Sequence, residues 1–169
     1  MGGSTKSATA LSASGDLKRF KVIHFATHGL VVPEIPELSA IVLSQFKEEK
    51  EGEDGYLQMN EIAELDINAD FVNLSACETG LGKIYGGEGV VGLTQSFLIA
   101  GANGISVSLW QVADDSTSTF MVEMYKSVKE QGIDYSTAIN QVKRRFINGE
   151  FGPNYQAPYY WAPFVYYGK

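Results

Sequence analysis

The feature that most constrains this chain is a run of strand-forming residues that stops at its single cysteine. In Asp70-Phe-Val-Asn-Leu-Ser-Ala-Cys77-Glu-Thr-Gly80 the apolar residues end at Cys77, and a turn carrying Gly80 and Gly82 follows at once. A thiol therefore sits where a strand ends. A second run has the same design: Phe20-Lys-Val-Ile-His-Phe-Ala-Thr-His28-Gly29 is rich in strand formers and closes on a histidine followed by glycine. Two buried strands with a thiol and an imidazole at matching ends suggest a cysteine nucleophile and its base.

The rest of the chain alternates between strand and helix periods. Residues 20–26 read as a strand buried on both faces, as parallel strands are. Residues 40–43 and 56–57 read as the arms of a hairpin whose tip, 47–54, is almost entirely charged and closes with the turn dipeptide Asp54-Gly55. Asn60 is the expected N-cap of a short helix over 61–65. A helix is expected over 90–100 with Gly101 as its stop, and an alternating strand over 105–110. An acidic or hydroxyl cap then opens a helix over 116–130 that buries Phe120, Met121, Met124, Tyr125 and Val128 and stops at Gly132. A further helix over 136–148 buries Ala138, Ile139, Val142 and Phe146, and 161–167 reads as a last strand. Strands alternating with helices indicate an α/β layer fold with a mostly parallel sheet.

A length of 169 residues with 44% hydrophobic content suits a single domain, residues 1–169, with one core. Residues 1–19 are expected to form a weak helix, over 5–14, or a flexible leader. No apolar run approaches the length of a membrane span, and the start lacks the pattern of a signal peptide, so a soluble, cytoplasmic protein without membrane partners is expected. One cysteine and two histidines leave a soft-metal site short of ligands, so neither a metal nor another cofactor is expected. The net charge of −7 argues against nucleic acid as a direct partner. The basic cluster Lys143-Arg144-Arg145 reads as a solvated helix face.

Ligands of open α/β sheets gather outside the carboxyl ends of the strands, and His28, Cys77 and Asp114 each fall just past such an end. His28 lies roughly 50 residues before Cys77, the relation seen in caspases. The stretches His24-Phe-Ala-Thr-His28-Gly29, Leu74-Ser-Ala-Cys77-Glu-Thr-Gly80, Gly87-Glu-Gly89 and Ser108-Leu-Trp110-Gln-Val-Ala-Asp114 resemble the CHAT family of caspase-like cysteine peptidases, relatives of separase in the caspase clan. The resemblance runs from about Lys21 to Gly168.

The resemblance implies a caspase-like three-layer sandwich in which Cys77 is the nucleophile and His28 the general acid/base, with backbone N–H groups of Gly29 and Cys77 as the oxyanion hole. It also implies a protein substrate. The cysteine lies in Ser-Ala-Cys-Glu-Thr-Gly rather than the caspase Gln-Ala-Cys-x-Gly, so aspartate specificity does not carry over. An aspartate at the place of Asp114 binds a P1 arginine in separase-like peptidases, which makes Arg, then Lys, the expected P1 residue and Asp115 the neighbouring substitute. Asp114 as helix-terminal charge or cap is an equal reading from the residues themselves. His24 reads as a core histidine, and Glu78 and Glu88 as loop-ordering groups.

Caspase-like sheets place the histidine after the third strand, so the first strands are expected to be missing, the chain to be the C-terminal portion of a longer protein, and the 20–26 strand to present an open edge. A regulatory region of TPR type, or an activating partner, is expected from the same resemblance. The rival from another class is a non-catalytic binding or scaffold domain that keeps the fold. Gly87-Glu-Gly89-Val-Val-Gly92 matches a dinucleotide-binding pattern in letters, but the preceding strand ends too early for its glycines to form the strand-to-helix turn.

Overall fold

The computed structural model describes residues 14–30, 32, 35–43, 55–75 and 88–168. In chain order the regular elements are β1 (Val22–Phe25), β2 (Gly29–Leu30), β3 (Ala40–Val42), β4 (Tyr56–Gln58), α1 (Met59–Glu64), β5 (Phe71–Leu74), α2 (Glu88–Ile99), β6 (Gly104–Ser108), α3 (Asp114–Gln131), α4 (Tyr135–Ile147) and β7 (Phe164–Gly168). Short 3-10 turns at Asp16–Arg19, Pro36–Leu38, Pro153–Gln156 and Pro158–Tyr160 join them.

The main sheet has the order β1-β5-β6-β7, with β1, β5 and β6 parallel and β7 antiparallel to β6. Side chains alternate across it, so neighbouring residues enter different layers. Val72, Leu74, Ile105 and Val107 join Ile62, Leu93 and Phe97 in one core, with Ile23 and Phe25 packed against it. Phe71 and Phe164 join Phe120, Met124, Ile139, Val142 and Phe146 in the other. The mixed α/β layering and the mostly parallel sheet are those expected.

β1 departs from the expected double burial. Its residues alternate between exposed and half-buried, because among the described residues it is an edge strand hydrogen-bonded only to β5. That is the open edge expected beside residues 20–26. Fully buried strands are instead β5 and β6, and the polar alternation in β6 does not mark a wet face: Ser106 and Ser108 are as buried as Ile105 and Val107.

The hairpin is present as β3 and β4, with Ile41 opposite Leu57, and β2 joins it to make a small antiparallel sheet. Its charged tip, like the expected 5–14 helix, lies outside the described residues. The cap of α1 is Gln58 rather than Asn60; its backbone N–H donates to the Glu61 carboxylate at 2.8 Å, closing the first turn from below. α3 begins two residues earlier than expected, after Ala113, so Asp114 and Asp115 occupy its first turn instead of preceding it. α4 has a true cap in Asp134, whose carboxylate accepts from the Thr137 backbone N–H at 2.9 Å.

Glycine is required at one position of the assembly and permits a close contact at another. At Gly101, with φ of 111°, an added Cβ would lie 2.2 Å from the Ile67 carbonyl oxygen, so the chain leaving α2 touches the strand-entry loop backbone to backbone. At Gly92 an added Cβ would lie 2.3 Å from Met59 Cε, which explains the last glycine of the Gly87-Glu-Gly89-Val-Val-Gly92 pattern as close packing of α2 on α1. Among the described residues no helix is long and apolar enough to cross a membrane.

Candidate functional site

The parallel strands β1, β5 and β6 all end at the same edge of the sheet, and the described residues just beyond them face the first half of α3. A cavity of about 520 Å³ lies there, within the usual size of a small-molecule or side-chain pocket, ~300–1,000 Å³. The β1 side supplies His24, Ala26 and His28, β5 supplies Ser75, the loop after β6 supplies Trp110, Gln111 and Val112, and α3 supplies Asp114, Thr117, Ser118, Met121, Val122 and Tyr125.

His28 follows β1 and is fixed from the small sheet. Its carbonyl accepts from the Val42 N–H at 2.8 Å, and the neighbouring Thr27 hydroxyl donates to the Val42 carbonyl. Gly29 is buried opposite Ile41 at the start of β2. Thus the imidazole-bearing turn is clamped between two sheets rather than left as a loose loop. Cys77, Glu78 and residues up to 87 lie outside the described residues, as does the side chain of Glu88. Ser75 is the last described residue before them, and its N–H donates to the Phe25 carbonyl at 3.2 Å.

The two aspartates considered for the substrate are separated by geometry. Asp114 is exposed and lines the cavity. Asp115, next along the same turn, accepts from the Ser116 backbone N–H at 2.7 Å and from the Tyr155 hydroxyl at 2.5 Å. These two donors, Tyr155 first, hold its carboxyl below the usual carboxylate range. The structure brings His28 and Asp114 to one cavity and ties Asp115 to the segment after α4.

That segment also braces the cavity floor. The Trp110 indole N–H donates to the Tyr159 carbonyl at 3.1 Å, the Tyr159 hydroxyl donates to the Gln111 carbonyl at 2.9 Å, and the Ser108 hydroxyl donates to the Trp110 carbonyl at 2.6 Å. Backbone groups of a tight turn that would otherwise face water are thereby satisfied.

His24 is not a core residue. It is solvent-accessible on the cavity wall, with Nε2 2.8 Å from Ser75 Oγ and 3.0 Å from Asn73 Nδ2, and Nδ1 3.3 Å from the Tyr125 hydroxyl. The partial enclosure of its ring lowers its pKa, because burial disfavours the imidazolium. Ser75 and Tyr125 belong to the site as well, and neither was singled out for it from sequence. A signal existed for the histidine: residues 24, 26 and 28 alternate along the run that reads as a strand and its exit, and all three line the cavity.

Against this geometry, the family model of the CHAT domain matches residues 3–169, nearly the whole chain. A comparison with curated proteins finds no match.

Proposed function

The chain belongs to the CHAT-domain family, related to the caspase-like cysteine peptidases, and from that premise we propose that it is a cysteine endopeptidase that cuts a protein substrate after a basic residue, arginine before lysine. The observation that carries the proposal is the cavity at the carboxyl ends of the parallel strands, lined by both His28 and Asp114. Active sites of this class of sheet form at that edge.

In the proposed reaction the Cys77 thiolate adds to the scissile carbonyl carbon, and the resulting oxyanion is held by the backbone N–H groups of Gly29 and Cys77. The carbon–nitrogen bond then breaks as the His28 imidazolium gives its proton to the leaving amine, leaving a thioester. His28 next takes a proton from water, the hydroxide adds to the thioester, and the thiolate departs.

Asp114 would receive the P1 guanidinium as a charge-assisted pair, and Trp110, Val112 and Val122 would cover its methylene stem. The site operates in the cytoplasm, under a TPR-type regulatory region or an activating partner. Incubating the wild type, Cys77→Ala and Asp114→Asn with a P1-scanning peptide library tests this. Cleavage after Arg is expected in the wild type, none in Cys77→Ala, and a lost basic preference in Asp114→Asn; cleavage that survives in Cys77→Ala removes the nucleophile.

A further inference from the structure

The face of the sheet beneath α3 carries a polar row where apolar residues would be cheaper. The registers place His24 beside Asn73, Asn73 beside Ser106 and Ser106 beside Tyr166. Asn73 and Ser106 are completely buried. The Asn73 amide nitrogen uses both its hydrogens, one toward His24 Nε2 at 3.0 Å and one toward Met121 Sδ at 3.3 Å. Asn73 Oδ1 and Ser106 Oγ have no partner among the described residues. Each unpaired buried oxygen costs free energy that a valine would not. Packing alone gives no reason for this row, and its outer end is the His24 ring on the cavity wall.

We infer that His24 is a positioning residue whose neutral ring fixes the point at which the chain leaves β5 toward Cys77. This rests on the reading of Cys77 as the nucleophile. An amide nitrogen only donates, so Nε2 accepts from Asn73, and the ring proton sits on Nδ1, facing the Tyr125 oxygen. The same Nε2 lone pair receives the Ser75 hydroxyl at 2.8 Å, well inside the 3.5 Å that separates this hydroxyl from the Phe25 carbonyl. Ser75 is thus held by its backbone to Phe25 and by its side chain to His24, two positions before the thiol.

The arrangement depends on the charge of the ring. A proton on Nε2 would point at the donor hydrogen that Asn73 directs to it, and the Asn73 amide is sealed from water, with its other hydrogen already on Met121 Sδ. The ionisable groups around the ring are Tyr125 from α3 and, on the same cavity, His28 and Asp114. Burial, aided by Tyr135, pushes the Tyr125 phenol well up, so it keeps its proton. Burial pulls His24 down, so the ring is neutral at neutral pH and the hold on Ser75 is released only on acidification below the ordinary histidine value.

The test uses the full chain, labelled with nitrogen-15. Ring spectra of His24 are expected to show a bare Nε2 at neutral pH, and the Cys77 backbone amide resonance is expected to move in step with the His24 titration in the wild type and in His28→Asn. His24→Gln, whose side-chain oxygen accepts at a similar place but does not titrate, is expected to erase that step. Alkylation of Cys77 by iodoacetamide at neutral pH is expected to slow ~10–100-fold in Ser75→Ala and in His24→Leu, the scale of a misplaced reacting group, to recover in His24→Gln, and to slow no further in the Ser75→Ala, His24→Leu double variant. A protonated Nε2 at neutral pH, a Cys77 amide indifferent to His24, or additive effects in the double variant overturn the inference. A thiol whose alkylation ignores His28→Asn defeats the nucleophile reading separately, because the ring and amide spectra still report the hold on Ser75.

Discussion

Asp114 and Asp115 are the same residue type on one turn, yet the structure gives them different surroundings. Asp115 is occupied by the Tyr155 hydroxyl and the Ser116 N–H, while Asp114 lines the cavity. The carboxyl of Asp115 is held down, so its contribution to stability is present above the unfolded carboxylate pKa and is lost as pH falls through the lower folded value. Tyr155→Phe is therefore expected to bring the Asp115 titration up toward the ordinary aspartate range and to flatten the acid limb of the stability curve, both followed by NMR and thermal melts against pH. The same substitution is expected to leave the P1 preference unchanged, whereas Asp114→Asn alters it. Sequence offered these neighbours as alternatives because adjacency in a helix says nothing about which one meets a partner forty positions away. His24 was hidden for a related reason: a histidine in an apolar run reads as core until the strand is known to lie at an edge.

Among the elements, the helices were the most legible. The apolar positions 120, 121 and 124 of α3 and 138, 139, 142 and 146 of α4 are buried as their spacing requires, since a three-to-four period leaves one face for the core. Phe120, fully buried and stacked on Phe164 at a ring separation of 4.2 Å, links α3 directly to the sheet. Phe120→Ala is expected to cost about 3–5 kcal/mol, read by urea unfolding. Element ends were less legible. Gln58 caps α1 in place of Asn60 because Glu61 reaches back to it, a reciprocal bond that outweighs the intrinsic preference for asparagine. The serines of β6 alternate like a half-wet strand and are nonetheless covered, because helices pack on both faces of a parallel sheet. The lone cysteine that sequence places at a strand end lies outside the described residues, and the cavity wall made by α3 was not legible, because nothing local announces that Tyr125 and His24 will meet.

On the scale of the whole molecule, the sheet is asymmetric. Among the described residues one edge strand is antiparallel β7 and the other is parallel β1, where Phe20 is 50% and Val22 39% exposed. Exposed apolar side chains beside unpaired strand groups template pairing with further chains. The double variant Phe20→Lys, Val22→Lys is expected to lower self-association measured by light scattering while shifting the unfolding midpoint little, since neither side chain joins a buried cluster. The hydrogen bond between Tyr125 and His24 spans 101 positions of chain. During synthesis from the amino terminus, the cavity wall that carries His24 and His28 is therefore made well before the helix that completes it. Closing so long a loop costs entropy that only docking of α3 onto the sheet recovers. The growing chain consequently carries the two walls of the cavity unassembled, and the finished pocket comes into existence only with the completed fold.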